Sequence, residues 1–372
     1  MKTANLLIDA RGPQIQHRSG LTASDTFIYL AIEGEKPKVF FDAREFAVMR
    51  AKLTKLKNGV QVEQLERYLK KTFKGKGDPL VAIAIVILKE KGVQRVLVSA
   101  ELSWLAAKQL TAAGMKLAPY DYAGERECKT KSEIRQMVAA QRVNETAFEL
   151  IWQILAASTV RGKEILYNKQ VLTSEFLKAE IRRHFLAQGY NCPDGLIVAS
   201  GEQTAQPHNE GSGRLLANKF IIIDIFPRSE QTGYFADMTR TFVKGQPTKK
   251  MRGLFTAVEK VQRQVADEIT IGQPCALVHQ TAVQAFEKLG YETSFERGFM
   301  HGTGHGLGLQ VHEEPRLNAS SSRKIEPGMV VTVEPGLYYP RLGGARIEDV
   351  IVFHPNGRKE NITKFDKPYI IP

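Results

Sequence analysis

The sequence predicts an α+β protein in two parts: an α/β domain over residues 1–125, then helices packed on a mostly antiparallel sheet over residues 126–372. Three observations carry this. At 372 residues the chain exceeds what one hydrophobic core usually serves. As far as Tyr120, short strand-like apolar runs alternate with amphipathic helical patterns, the signature of layered α/β packing. Beyond Lys131 several strands follow one another through hairpin-like turns, which favours antiparallel pairing.

In the first part the apolar patterning places strands near 6–8, 26–32, 38–41, 96–99 and 115–118, and helices near 43–54, 62–73, 79–91 and 102–113. The third helix is the best marked. Asp78 can cap it, Pro79 suits its first turn, and Gly92 closes it around the apolar run from Leu80 to Leu88. That run is about half a membrane span, so it reads as a buried helix. A polar stretch over 121–131 reads as a linker, ahead of a long helix over 131–157. The second part then has helices near 173–188, 248–270 and 274–289, with strands near 196–199, 219–226, 233–243, 329–334 and 346–353. Alternation of Leu307, Leu309 and Val311 predicts a further strand, with Gly306, Gly308, Gln310 and His312 on its opposite face. A glycine-lined face ending in histidine suits a substrate channel.

With 43% hydrophobic and 25% charged residues, the composition is that of an ordinary globular protein. The first residues lack a signal-peptide pattern, and three scattered cysteines (Cys128, Cys192, Cys275) argue against a disulfide framework, so a cytoplasmic setting is expected. The net charge of +12 is concentrated early, with 24 Lys+Arg against 15 Asp+Glu in residues 1–135. No aromatic-interleaved basic stripe or helix-turn-helix pattern accompanies it, so neither nucleic acid nor membrane is expected as a partner. Lys52, Lys55, Lys57, Lys70, Lys71, Lys74 and Lys76 read as a solvated helical face and loop.

The chemistry concentrates in Phe299-Met300-His301-Gly302-Thr303-Gly304-His305-Gly306-Leu307-Gly308-Leu309-Gln310-Val311-His312-Glu313, where three of the eight histidines are separated mainly by glycine. Imidazoles bind metals or move protons near neutral pH, and glycines let a backbone approach a ligand or take up positive φ. Four acids lie within or at the ends of apolar strand patterns: Asp224, Asp237, Glu334 and Glu348. An unpaired buried carboxylate costs several kcal/mol, so each needs a cation or must protonate. Arg240 and Arg346 are available, but two arginines do not neutralise four acids. Two divalent ions would, leaving room for a bridging hydroxide, and one imidazole with four carboxylates suits Mn²⁺, Co²⁺, Fe²⁺ or Zn²⁺. Such a centre lowers the pKa of shared water and clamps a carbonyl, the machinery of amide hydrolysis. Phosphoester chemistry would call for a phosphate-cradling glycine loop before a helix, which the sequence lacks.

Taken in order, Asp224, the stretch Gly233-Tyr234-Phe235-Ala236-Asp237-Met238-Thr239-Arg240-Thr241, the histidine cluster, the stretch from Glu326-Pro327-Gly328 to Glu334-Pro335-Gly336-Leu337-Tyr338, and Arg346-Ile347-Glu348-Asp349 resemble the motifs of the pita-bread metallopeptidases. Within that family the chain looks like the Xaa-Pro aminopeptidase and prolidase branch. The match is strong over residues 131–372, while the N-terminal part resembles the creatinase-like α/β domain only in layout. The resemblance implies a curved, mostly antiparallel sheet. It also implies metal ligands at Asp224, Asp237, His305, Glu334 and Glu348, with Asp237 and Glu348 bridging two ions, Asp224 on one, and His305 and Glu334 on the other. His208 and His301 match substrate-proximal positions, His312 a catalytic one, and Arg346 a supporting arginine. One departure stands out. Thirteen positions separate Asp224 from Asp237 where the family usually has eleven, and Ile225-Phe226-Pro227-Arg228 follow Asp224 in place of a small residue and glycine. A longer hairpin turn can absorb the extra residues without moving either acid.

The expectation is therefore a dinuclear enzyme, manganese first among its possible ions, that cleaves an N-terminal residue from a peptide with proline at the second position. A metal-bridging hydroxide attacks, Glu334 relays the proton, and His208 and His312 stabilise the tetrahedral intermediate. A homodimer is expected, with the N-terminal domain restricting access. Tyr338 could hydrogen-bond near the metals or fill the core. The alternatives are a non-catalytic binding module on the same fold and a creatinase-like hydrolase of a small molecule.

Overall fold

A computed structural model describes residues 2–72 and 77–371. The chain divides into two compact units, Met1–Arg126 and Glu127–Pro372.

The first unit is one sheet of six strands in the order Gln61–Gln64, Lys38–Phe41, Phe27–Ile32, Lys2–Asp9, Val93–Val98, Lys116–Pro119. Lys2–Asp9 pairs antiparallel with Phe27–Ile32 and parallel with Val93–Val98. Helices Pro79–Glu90 and Trp104–Ala112 cover one core, where Val81, Ala84, Leu88 and Leu110 meet Leu6, Ile28 and Val96. Asp78 caps the former as expected, accepting from the Leu80 backbone N–H at 2.8 Å. A strand, Gln61–Gln64, takes the start of the expected 62–73 helix, which begins only at Glu66. Edge pairing with Lys38–Phe41 overrides local helical pattern there. Residue 73 of that helix, and Lys74 and Lys76, lie outside the described residues, while Lys52, Lys55 and Lys57 are exposed. A short helix, Pro13–Ser19, escaped the sequence reading.

The second unit carries two main sheets, each with its own helices. Ile197–Ser200, Ile221–Ile225, Met238–Lys244 and Ile370–Ile371 form one, paired antiparallel except at the last junction. Helices Lys131–Ala157 and Ser174–Leu186 share a core with it through Phe148, Ile151, Leu177, Ile221, Ile223 and Phe242. The other sheet runs Glu313–Leu317, Gly304–Gly306, Val330–Val333, Asp349–Phe353, Lys359–Asn361, antiparallel throughout. Helices Lys249–Glu268 and Cys275–Lys288 pack on it through Val258, Val261, Phe286, Val331 and Ile351. The hairpin Gly336–Tyr339 with Gly343–Arg346 is a separate pair.

Four sequence expectations change here. The supposed linker over 121–131 is partly built in, since the Lys129 N–H donates to Gly328 O at 2.8 Å and Cys128 bridges Met329. The strand expected over 233–243 starts at Met238, and that over 346–353 at Asp349, which leaves Asp237 and Glu348 just outside the ladders. The alternating strand through Val311 does not form; pairing stops at Gly306. A small three-stranded sheet at Thr159–Arg161, Glu164–Tyr167 and Gln170–Val171 was not anticipated, because its strands are too short to show a period. No helix among the described residues is long and apolar enough to cross a membrane.

Candidate metal centre

Strand alternation places the first acid. In Ile221–Ile225 the odd positions join the helix-facing core, while Ile222 packs with Tyr338 on the other face, so Asp224 lies on that inner side. On Val330–Val333, Val331 and Val333 face helices, and Thr332 shares its side with Glu334, the next residue after the strand. Asp237 is fixed differently. Its N–H donates to Gln141 Oε1 at 3.2 Å and its carbonyl accepts from Gln141 Nε2 at 3.1 Å, so a side-chain amide stands in for a strand neighbour. The Glu348 N–H donates to Thr239 O at 3.1 Å, and its Oε2 accepts from the Thr239 hydroxyl at 2.8 Å.

His305 lies in Gly304–Gly306, its backbone N–H donating to Thr332 Oγ1 at 3.0 Å. Nδ1 is 3.0 Å from Gly306 O, and a carbonyl only accepts, so Nδ1 carries the proton. Nε2 lies 3.2 Å from Glu334 Oε1 and 3.8 Å from Asp237 Oδ2, on the side where a metal ion would meet it. Ligand atoms of Asp237, His305 and Glu348 fall within 4.8 Å of one another. Asp224 and Glu334 flank this trio. Asp224 Oδ1 and Asp237 Oδ1 are buried without a hydrogen-bond partner, which protein acceptors rarely tolerate unless a cation completes them. The donor set thus fits hard divalent ions.

Electrostatics points the same way. Burial pushes Asp224 above the ordinary carboxylate range, partly countered by Arg346. It pushes Asp237 and Glu348 well above, with neighbouring carboxylates adding to the effect. Glu334 goes the other way. Burial would raise it, but the hydrogen bond and charge of His305, with charge from His301 and Arg346, bring it to about 2. For a carboxyl whose folded pKa is raised, stability is present below the unfolded pKa and is lost as pH rises through the folded one. The metal-free protein is therefore expected to lose thermal stability as pH is raised from the ordinary carboxylate range toward and past neutral. Saturating Mn²⁺ should flatten that slope; melting curves at several pH values, with and without the ion, check it, and a metal-free slope of the opposite sign would contradict the assignment.

Only one of the two candidate arginines reaches the acids. Arg240 bonds Asp349 at 2.7 Å, whereas Arg346 Nη2 donates to Asp224 Oδ2 at 2.6 Å. Arg346 Nη1 also donates to the Tyr338 hydroxyl at 2.7 Å. That hydroxyl lies 2.9 Å from His301 Nε2, and His301 Nδ1 is 2.7 Å from Gly302 O, so Tyr338 donates to an unprotonated Nε2. Burial lowers the His301 pKa to about 4 and raises that of Tyr338 to about 12, leaving both neutral at physiological pH. Tyr338 both fills the core, fully buried, and bonds beside the acids.

His312 is exposed, its ring set edge-on against that of His305 with centroids 4.4 Å apart. His208 is exposed in the loop where Pro207 O accepts from Arg346 Nη1 at 3.4 Å. The structure therefore brings all nine candidate residues to one region. It corrects the reading of the glycines. Gly306 and Gly308 are buried, not channel-lining; a Cβ at Gly304 would collide with the Thr332 carbonyl, and one at Gly306 with the Glu314 carbonyl. Sequence reading missed Gln141, Thr239 and Thr332. Gln141 did leave a signal: with Asn144 it interrupts the apolar stripe Ile134, Met137, Phe148, Ile151, Leu155 of Lys131–Ala157, and Asn144 Nδ2 donates to Ile225 O at 2.8 Å.

In the longer loop, Arg228–Ser229 pairs with Tyr190–Asn191, and the Glu230 N–H donates to Gly189 O at 3.0 Å, so the additional length is taken up there.

The same architecture recurs in solved structures. The Xaa-Pro dipeptidase from Bacillus anthracis superposes with a TM-score of 0.81 at 25% identity, covering 100% of this chain and 95% of that one. The X-Pro aminopeptidase from Thermotoga maritima gives 0.80 at 23% identity, covering 99% and 97%, a likeness of fold. In sequence, the Xaa-Pro dipeptidase of Pyrococcus furiosus is 34% identical over 172 residues, 46% of this chain and 47% of that protein. An uncharacterized peptidase of Bacillus subtilis is 32% identical over 244 residues, 65% of this chain and 64% of that protein. The aligned stretch thus spans about half to two-thirds of these relatives' length. Residues 133–355, which include all nine candidate positions, match metallopeptidase family M24. The chain belongs to metallopeptidase family M24, with its pita-bread fold.

Proposed function

We propose that the protein hydrolyses the bond between an N-terminal residue and proline, as a peptidase using two divalent ions, manganese first among them. The observation that supports this best is the buried convergence of Asp237, His305 and Glu348, with the partnerless oxygens of Asp224 and Asp237 beside it. Asp224, Asp237, His305, Glu334 and Glu348 would hold the ions. When bound, the ions supply a nucleophile from water at neutral pH and polarise the scissile carbonyl.

The chain's own groups then divide the remaining work. Glu334, held ionised by His305, accepts the proton released in the attack and passes it to the leaving nitrogen. His312 and His208, on the exposed side, donate hydrogen bonds to the developing oxyanion. Neutral His301 stands near substrate, oriented by the Tyr338 hydroxyl, while Arg346 holds that hydroxyl and the Asp224 carboxylate in fixed relation. A proline imide has no N–H, so a pocket shaped for its ring selects it in place of a backbone hydrogen bond.

The test is a length series of Xaa-Pro peptides on metal-reconstituted protein, with products identified by mass spectrometry. Release of the first residue from Xaa-Pro substrates, and none from matched Xaa-Ala peptides, is expected. Bound metal with no hydrolysis of any member would overturn the reading and favour a binding module; turnover confined to dipeptides would mark a dipeptidase.

A further inference from the structure

The catalytic unit contains a buried ion pair that the chemistry above does not use. Lys129 Nζ lies 3.0 Å from Glu313 Oε2, with the two side chains only 2% and 3% exposed. Glu313 directly follows His312. Its other oxygen, Oε1, accepts from the backbone N–H groups of Leu309 at 3.0 Å and Gln310 at 3.1 Å. One carboxylate therefore gathers two amides and an ammonium, folding the segment 309–313 around itself. Gly308 leaves the room: a Cβ there would press against the Glu313 carboxylate.

That fold-back replaces regular pairing. Strand structure stops at Gly306 and resumes at Glu313, so His312 lies in a connection without a ladder of its own. The connection is tied at its start by Leu307 N–H to Val330 O at 3.0 Å and by Phe235 N–H to Gly308 O at 2.9 Å. Its far end, where His312 turns toward His305, is governed by the Glu313 carboxylate. Lys129 is itself anchored, its N–H on Gly328 O at 2.8 Å and its Nζ also on Glu127 O at 3.3 Å. A buried ion pair of this kind adds little net stability over an apolar pair of the same size, so its value lies in fixing one arrangement.

We propose that Lys129 and Glu313 form a buried clamp that sets His312 against His305, making both of them positioning residues for the peptidase reaction. The proposal rests on the role given above to His312. Deleting Lys129 removes the ammonium that balances the buried Glu313 carboxylate, and the turn carrying His312 loosens. Misplacement of a reacting group by about 1 Å costs on the order of 100-fold in rate.

The experiment compares Lys129→Met, His312→Ala and the double variant as metal-reconstituted full chains on an Xaa-Pro peptide. Lys129→Met should lower kcat by about 10- to 100-fold, with KM and bound metal unchanged. Because the clamp acts through His312, the double variant should fall no lower than His312→Ala alone. Losses that multiply, or an unchanged kcat in Lys129→Met, would overturn the proposal. Should Lys129→Met not fold, Lys129→Met/Glu313→Gln removes both charges and keeps an acceptor for the amides; it should show a similar kcat loss, and wild-type kcat in it would count against the clamp. A second readout needs no activity. In metal-free protein with ¹⁵N-labelled histidine, the ring signals missing from His312→Ala should shift in Lys129→Met while those of His184, whose ring bonds Thr146 midway along Lys131–Ala157, stay, and unmoved His312 signals would sink the clamp. If the wild type cleaves no Xaa-Pro peptide, the functional reading fails while these signals still decide the clamp.

Discussion

Replacing His305 with alanine is expected to lower turnover of Xaa-Pro peptides by at least about 100-fold, the upper range seen when even an outer partner of a metal ligand is lost. His305 presents the imidazole nitrogen that faces Asp237 and Glu334, with its other nitrogen fixed on Gly306 O. Alanine removes that donor and also the group that keeps Glu334 ionised. The fold should survive, because the tie from this strand to Thr332 is made by the His305 backbone N–H, which alanine retains. Metal content by elemental analysis should fall by one ion per chain, while circular dichroism stays that of the parent. Full activity in the variant would remove His305 from the centre.

Arg346→Met is expected to cost about 3–5 kcal/mol of stability in the metal-free protein, since it strips the cation from a buried pair. Asp224 would lose its bond to Nη2, and the Tyr338 hydroxyl its bond to Nη1. The Asp224 pKa, already raised by burial, would rise further without Arg346. A carboxyl with a raised folded pKa contributes stability below its unfolded pKa and loses it as pH rises, so the deficit against wild type should grow with pH. Bound metal supplies replacement charge beside Asp224 and should shrink the deficit. Urea titrations at acid and neutral pH, with and without Mn²⁺, read both effects. A deficit indifferent to pH and to metal would show that Arg346 acts through packing alone.

Much of the centre is legible in the sequence because its residues are chemically out of place. An aspartate ending four large apolar residues, or a glutamate closing Val330–Val333, advertises a cost that something must offset. The long helix from Lys131 is equally plain, with Thr130 and Glu133 forming its capping box. What escaped has physical causes. Asp237 and Glu348 read as strand residues because apolar neighbours continue past them, yet their backbone groups go to Gln141 and Thr239, partners remote in sequence. The strand foreseen through Leu307, Leu309 and Val311 failed because alternation reports which side chains are buried, not where their amides go. The amide of Leu307 goes to Val330 O, and those of Leu309 and Gln310 to Glu313, whose role depends on a lysine 184 positions earlier in the chain. The three-stranded sheet over residues 159–171 has strands of two to four residues, shorter than the period needed to see them.

The two glycines around His305 invert the usual map of mutational tolerance. The His305 imidazole is expected to be exchangeable with the scaffold left standing, because the bond from its strand to Thr332 is made by main-chain N–H. Gly304 and Gly306 have no such freedom, since any side chain there drives apart strands that touch carbonyl to α-carbon. Transplanting this centre into another protein would therefore mean copying the blank positions first and the reactive ones second. A saturation library scored for folding alone would find its sharpest intolerance at residues that take no part in the chemistry.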